Sequence, residues 1–156
     1  MPPIIIYTDG SALGNPGPGG YGVVLLAPPN HRKELNAGFR LTTNNRMELM
    51  AVCVGLEALK IEGSEVTVYS DSKYVVDAVE KGWLFGWERK QFKDKKNPDL
   101  WIRFLKVYRL HKVRFVWVKG HAGTPENERC DVLAVAAANG PHLAEDVGYD
   151  GSGRKN

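Results

Sequence analysis

The chain is poor in the features that mark disulfide-stapled and membrane-spanning proteins. It has only two cysteines, Cys53 and Cys130, so a disulfide scaffold is excluded. No uncharged apolar run approaches the roughly 20 residues that a bilayer-spanning helix needs. The first residues, Met1-Pro2-Pro3-Ile4, do not form an apolar leader. We therefore expect a cytoplasmic protein that does not depend on disulfides.

Net charge is also scarce. The formal charge at pH 7 is +3, which is too small to indicate a partner. Hydrophobic residues make up 43% and charged residues 25% of the chain, as in ordinary globular proteins, which excludes a disordered or collagen-like chain. A length of 156 residues fits about one domain with a core of its own. We predict a single domain over residues 1–140 and a partly disordered tail over 141–156.

The small net charge conceals an uneven distribution. Residues 81–114 contain eleven Lys or Arg and three acids, a local charge of +8, and the rest of the chain carries −5. A basic block is most often a solvated face. The alternative is a surface that binds a polyanion. Charge alone leaves both interpretations open.

Hydrophobic periodicity predicts alternating strands and helices after an initial group of strands. We expect strands over 4–7, 21–27, 33–41, 65–69 and 113–118, and helices over 44–61, 72–80, 99–110 and 125–139. A Gly/Pro-rich loop over 10–20 would join the first two strands. The order βββ-α-β-α-α-β-α predicts an α/β fold with a mixed sheet and helices on its faces.

A glycine motif in the predicted loop resembles a nucleotide-binding fingerprint. Residues 17–22 match G-x-G-x-x-G, but a dinucleotide site requires a helix directly afterwards, and a strand is predicted there. A kinase would need a lysine strand and a catalytic Asp loop, and neither is present. We interpret the motif as a tight turn between two strands.

Four acids stand where solvated acids are not expected. Asp9 and Asp71 each follow an apolar strand, Glu48 lies in an apolar helix, and Asp131 precedes an apolar stretch of the last helix. Simpler roles exist: a turn residue, a helix cap, a capping box from Asn45 to Glu48, or an exposed helical acid. Strand ends at one edge of a sheet would nevertheless bring Asp9 and Asp71 together, and a helix on that edge could add Glu48.

A carboxylate cluster of this kind requires cations. Two carboxylates about 4 Å apart repel by roughly 4 kcal/mol at an effective dielectric constant near 20. Sites made only of carboxylates suit Mg²⁺ or Mn²⁺. The sequence has neither Cys/His spacing for zinc nor a Walker lysine. Together with the basic segment, the acids predict phosphoryl chemistry on a polyanion.

Five separated motifs resemble the bacterial type 1 ribonuclease H family. The match spans roughly residues 4–138 in family order. The motifs are Tyr7-Thr8-Asp9-Gly10-Ser11, Asn15-Pro16-Gly17-Pro18-Gly19-Gly20-Tyr21-Gly22, Thr42-Thr43-Asn44-Asn45-Arg46-Met47-Glu48-Leu49, Tyr69-Ser70-Asp71-Ser72, and Lys119-Gly120-His121-Ala122-Gly123 followed by residues 125–131. The resemblance implies a ribonuclease H-like fold, with a five-stranded mixed sheet in the order 3-2-1-4-5 and helices on both faces. It also implies endonucleolytic cleavage of the RNA strand of RNA–DNA hybrids, leaving 3′-hydroxyl and 5′-phosphate ends.

By the same resemblance, the four acids would hold Mg²⁺, with Mn²⁺ possible, and two ions in the substrate complex. One ion would prepare the attacking water and the other would stabilise the departing 3′ oxygen. His121 would help in proton transfer or product release, since an imidazole titrates near neutral pH. A surface histidine in a flexible turn is the alternative. The catalytic residues implied are Asp9, Glu48, Asp71, His121 and Asp131.

Substrate recognition would use amides, a phosphate pocket and the basic segment. RNA differs from DNA by its 2′-OH, which amides can bind and which Glu48 could also touch. The implied residues are Asn15, Asn44 and Asn45 in the minor groove, Thr43 and Asn97 at a DNA-strand phosphate, and Trp83, Lys93, Lys95 and Lys96 on the DNA strand. Trp87 is assigned to packing. Lys73 stands where the family often has glutamine, and it adds either a phosphate contact or only surface charge.

Two other functions stay open on the sequence. One is a different nuclease of the same superfold, such as a junction resolvase or integrase core, against which Asn44, Asn45 and the basic segment argue. The other is a hybrid-binding protein without catalysis, which would gain nothing from unpaired acids that face phosphates. For this chain we expect a monomer that binds the hybrid duplex, without membrane contact or an obligate protein partner.

Overall fold

A computed structural model describes residues 3–120 and 124–149, in which strands and helices alternate. Three strands come first and a short strand comes last. The strands are β1 (Ile4–Ala12), β2 (Gly17–Ala27), β3 (His31–Thr42), β4 (Glu65–Ser70), β5 (Lys112–Trp117) and β6 (Leu143–Ala144). The helices are α1 (Asn44–Glu57), α2 (Lys73–Glu80), α3 (Trp83–Arg89), α4 (Pro98–Tyr108) and α5 (Pro125–Ala138).

One mixed sheet unites the strands in the order β5-β4-β1-β2-β3-β6. β1, β2 and β3 form an antiparallel meander, and β4 and β5 run parallel to β1. The predicted α/β class and the order 3-2-1-4-5 are confirmed. The prediction of five strands is one too few. The additional strand is β6, which pairs with Gly38 and Phe39 of β3. A two-residue strand is too short to show an alternating pattern in the sequence.

Helices cover both faces of the sheet. Adjacent residues of β2 belong to different clusters: Val23 packs with α1 and α4, and Val24 packs with Cys130 and Leu133 of α5. Cys53 lies in the first cluster and Cys130 in the second, so the sheet separates the two thiols. Burial raises the pKa of each thiol to about 12, which makes both unreactive at neutral pH.

The glycine motif lies within a strand and does not form a turn. Residues 17–22 belong to β2, and only residues 13–16 separate β1 from β2, so the predicted loop over 10–20 is wrong. A Cβ atom on Gly20 would lie 2.5 Å from the Ala134 carbonyl oxygen, and one on Gly22 would lie 2.2 Å from that of Cys130. These glycines therefore allow α5 to lie directly on the strand.

The segment after α5 returns to the body of the protein. Its Asp146 is buried and accepts hydrogen bonds from Arg46 of α1 and from Thr42. The domain boundary at residue 140 stays a prediction, and residues 150–156 lie outside the described ranges. Among the described residues, no helix combines the length and apolar character needed to span a bilayer.

Candidate active site

Close contact between β1 and α1 brings Asp9 towards Glu48. A Cβ atom on Gly10 would lie 2.3 Å from the Glu48 backbone nitrogen, so only glycine allows this approach. Thr43 caps α1, and its hydroxyl oxygen accepts a hydrogen bond from the Arg46 backbone N–H at 3.2 Å. The Glu48 side chain is therefore not part of a capping box.

The sheet register places Asp71 beside Asp9. Tyr7 of β1 pairs with Tyr69 of the parallel strand β4. Asp9 stands two residues after Tyr7, and Asp71 stands two residues after Tyr69. Ser72, not Asp71, caps α2, because its hydroxyl oxygen accepts a hydrogen bond from the Val75 backbone N–H at 3.3 Å. The Asp71 carboxylate is thus free to face the other acids.

The three acids form a compact cluster at the carboxyl ends of the two strands. Asp9, Glu48 and Asp71 each place one carboxylate oxygen within 4.8 Å of the others. They line an open cavity of about 390 Å³ together with Asp131 of α5. Asp131 lies outside the set of three, but its charge acts on Asp9. The predicted four acids therefore meet in one cavity.

Burial and like charge set the protonation of the cluster. Burial, reinforced by the charges of Asp71 and Asp131, raises the pKa of Asp9 to about 8. Burial and the neighbouring acids Asp9 and Asp71 also raise the pKa of Glu48 well above its ordinary value. Oε1 of Glu48 and Oδ1 of Asp71 are buried without a hydrogen-bond partner among the described residues. Converging oxygen atoms that lack donors fit a hard divalent cation.

The cluster should make the metal-free protein less stable at alkaline pH. An acid whose pKa is raised on folding binds its proton more tightly in the folded state, so stability is lost as pH rises from about 4 through 8. Asp9→Asn removes the part of this loss that comes from Asp9, whereas Glu48 keeps its own part. We expect a melting temperature in EDTA at pH 8 that is several degrees above wild type, since about 1 kcal/mol corresponds to roughly 2–4 °C in a chain of this length. Equal melting temperatures across pH 4–9 would contradict the repulsion.

Exposed amides lie next to the acids. The Asn44 side-chain oxygen accepts a hydrogen bond from the Ala12 backbone N–H at 2.7 Å, and that of Asn15 accepts one from the Asn44 backbone N–H at 3.1 Å. Asn44 and Asn45 line the same cavity as the acids. The structure therefore brings the three predicted amides together on the accessible side of the site.

Thr43 and Asn97 are linked through Arg46, but Asn97 is fully buried. Its side-chain oxygen accepts a hydrogen bond from Arg46 Nη1 at 3.2 Å, and its amide nitrogen donates to the Tyr74 hydroxyl at 3.0 Å. The predicted phosphate contact of Asn97 stays a prediction. In the structure its amide bonds within the protein, whereas Thr43 is only half-buried.

The basic segment contains α3, a helix that the sequence analysis missed. The helix has only seven residues and starts after Gly82, which adopts a left-handed conformation. Trp83 is half-exposed, and the predicted lysines that follow α3 are exposed. Trp87 packs against Trp101 with ring centroids 5.8 Å apart, in agreement with its assignment to packing. The predicted DNA-strand contacts are therefore accessible: Trp83, Lys93, Lys95 and Lys96.

Two residues near the acids received no role from the sequence. The Trp117 indole N–H donates a hydrogen bond to the Asp71 carbonyl oxygen at 3.0 Å. Asn127 of α5 has both polar side-chain atoms buried and unpartnered among the described residues, and it lines a small cavity with Asp9 and Asp71. Asn127 belongs to residues 125–131 of the fifth motif, but only the structure shows its amide beside the acids. His121 lies outside the described residues.

The fold and the site together define a class of protein. They describe an α/β protein whose mixed sheet gathers carboxylates at one edge, in a form suited to a divalent cation, with amides beside them. Comparison with known proteins identifies the family within this class.

The family model for RNase H matches residues 1–139. Ribonuclease H of Desulforamulus reducens is 62% identical over 149 residues, which cover 92% of each chain. Ribonuclease HI of Synechocystis sp. is 50% identical with the same coverage. The structure of LC9-RNase H1, a type 1 RNase H with the type 2 active-site motif, is similar with a TM-score of 0.80 and 34% identity, over 92% of this chain and 75% of that one.

A structure of LC11-RNase H1 in complex with an RNA/DNA hybrid is similar with a TM-score of 0.62 and 30% identity, over 86% of this chain and 96% of that one. The chain belongs to the ribonuclease H family. The predicted resemblance to bacterial type 1 ribonuclease H and the predicted endoribonuclease class are confirmed.

Proposed function

We propose that this protein hydrolyses the RNA strand of RNA–DNA hybrids by attack of water in line with the leaving 3′ oxygen. The observation that carries the proposal is the cluster of Asp9, Glu48 and Asp71 beside exposed amides, in a chain of the ribonuclease H family. A similar protein is known in complex with an RNA/DNA hybrid. The products would be a 3′-hydroxyl and a 5′-phosphate.

The carboxylates would hold Mg²⁺, or Mn²⁺, with two ions in the substrate complex. Such ions lower the pKa of a bound water and neutralise the charge that develops on the phosphoryl group. Asp9 and Asp71 supply oxygens from the strand ends, Glu48 from α1 and Asp131 from α5. Strands and helices fix these four positions in the folded chain, so little reorganisation opposes the reaction. His121, which follows exposed Gly120, would help in proton transfer or product release.

Recognition of the RNA strand would come from the amides beside the acids. An amide can both donate to and accept from a 2′-OH, which is the group that separates RNA from DNA. Asn15, Asn44 and Asn45 would contact the minor groove, and Glu48 would lie within reach of a 2′-OH next to the scissile phosphate. Thr43 would contact a phosphate of the DNA strand, and buried Asn97 would support this pocket from within the protein through Arg46.

A cleavage panel tests the proposed function. We expect the protein to cleave RNA in an RNA–DNA hybrid with Mg²⁺ or Mn²⁺ and to leave duplex DNA and four-way DNA junctions intact. Cleavage of junctions instead would favour a resolvase, and binding of hybrid without turnover in either metal would favour a binding protein.

Gel filtration of the same preparation tests the predicted monomer. The cytoplasmic location stays a prediction.

The basic segment should make hybrid binding strongly salt-dependent. Each phosphate contact contributes about 0.9 to the slope of log K against log salt concentration. Replacing Lys93, Lys95 and Lys96 together by Gln should reduce the slope by roughly 2–3 while kcat changes little. Fluorescence anisotropy of a labelled hybrid across salt concentrations measures the slope. An unchanged slope would mean that the segment is only a solvated face.

A further inference from the structure

We propose that Lys73 binds a backbone phosphate of the hybrid beside the acid cluster, and that Trp117 is the residue that positions it there. The proposal rests on the proposed function, and it assigns to Lys73 a role in substrate binding.

The location of Lys73 supports a contact with substrate. Among the described residues that line the cavity of the acids, Lys73 is the only cation. The side chain is exposed and stands two residues after Asp71, at the first position of α2. A cation at the amino end of a helix is unfavourable for the helix dipole, so its placement there does not serve the stability of α2. A phosphate approaching Asp71 would meet this ammonium group.

Trp117 holds the ammonium group at the rim of the cavity. Lys73 Nζ lies 4.7 Å from the centroid of the Trp117 ring, a distance at which the ring attracts the cation. The Trp117 indole N–H also donates a hydrogen bond to the Asp71 carbonyl oxygen at 3.0 Å. One side chain at the end of β5 thus fixes the Asp71 main chain and restricts the lysine beside it.

This arrangement has an electrostatic consequence. The acids create a negative potential that repels phosphate, and a phosphate can enter only where cations compensate it. The ring keeps Lys73 at the edge of the cluster, where the ammonium can face an incoming phosphate oxygen. The lysine therefore contributes to substrate affinity, and its contribution should decrease as salt concentration rises.

The test compares Lys73→Gln with Lys60→Gln, a matched change at an exposed lysine that lies after α1, outside the basic segment and outside the cavity of the acids. For Lys73→Gln we expect KM for the hybrid to rise about three- to tenfold with kcat within twofold, and the salt slope to decrease by about 0.9. Lys73→Arg should retain the wild-type slope because it keeps the charge. Lys60→Gln should change neither KM nor the salt slope.

A double-mutant cycle tests the role of Trp117. Trp117→Phe also loses the indole N–H but keeps a ring, so it is the reference for the cycle. Relative to Trp117→Phe, Trp117→Leu should raise KM less than Lys73→Gln does, and the same change should have no further effect on KM in the Lys73→Gln background, because the ring acts through the lysine. Trp117→Phe keeps the ring and should keep the slope. Additive effects, or a Lys73→Gln slope equal to that of Lys60→Gln, would overturn the inference. If the wild-type protein does not cleave the hybrid, both the proposed function and this inference are wrong. If it cleaves the hybrid and the Lys73 variants behave like the control, only this inference is wrong.

Discussion

Asp9→Asn is expected to lower kcat on an RNA–DNA hybrid by at least about a thousand-fold, equivalent to roughly 4 kcal/mol of barrier. The substitution keeps the size of the side chain and removes one of the carboxylate charges that would hold the cation. Asp71→Asn should have the same effect, because the two acids share one cluster. Excess EDTA should abolish wild-type activity, and initial rates on a labelled hybrid measure all three losses.

Asp77→Asn is the matched control for this prediction. Asp77 lies on α2 near the site, but it pairs with exposed Lys81 and does not line the cavity of the acids. We expect its kcat to stay within twofold of wild type. The expected increase in stability of Asp9→Asn separates loss of chemistry from loss of folding. Full activity of Asp9→Asn, or of wild type in EDTA, would disprove the proposed mechanism.

Asp146→Ala is expected to have the largest effect on stability. Arg46 is fully buried, and Asp146 accepts hydrogen bonds from its Nε at 2.7 Å and its Nη2 at 2.9 Å. Removing one partner of a buried ion pair typically costs 3–5 kcal/mol. Asp99 also accepts two hydrogen bonds from Arg46, so we expect about 3 kcal/mol, at the lower end of the range. Urea denaturation gives the free energy of unfolding.

The same substitution should impair substrate binding. Arg46 lies in the first turns of α1, between the amides Asn44 and Asn45 and the acid Glu48, so a loosened Arg46 disturbs all of them. Glu88→Ala is the control, because its ion pair with Arg109 is equally short but exposed, and exposed pairs contribute little to stability. If both variants lose the same free energy of unfolding, the buried network does not carry the stability that we assign to it.

The sequence was sufficient to predict the cluster of acids because its geometry follows from strand ends. Asp9 and Asp71 each follow an apolar strand, and the neighbouring parallel strands β1 and β4 must end at the same edge of the sheet. The helical position of Glu48 could be read from the apolar residues around it. These are local patterns, and local patterns are what periodicity detects.

Other features depend on contacts between residues far apart in the chain. The glycines of β2 looked like a turn because glycine has the same sequence signature in a turn and under a closely packed helix. The ion pair of Arg46 with Asp146 spans 100 residues. The hydrogen bond from Trp117 to Asp71 spans 46 residues. No pattern within a short window contains information of this kind.

The sequence by itself determined the class of fold, the four acids and the separation of a basic segment from an acidic body, since residue type and spacing carry that information. Only the tertiary structure decided which residues support the site. It showed that Arg46 anchors α1, that Asn97 bonds within the protein, and that Trp117 connects Asp71 to Lys73. The reason is physical: a side chain's partners are set by how helices and sheet pack, and packing is decided over the whole chain at once.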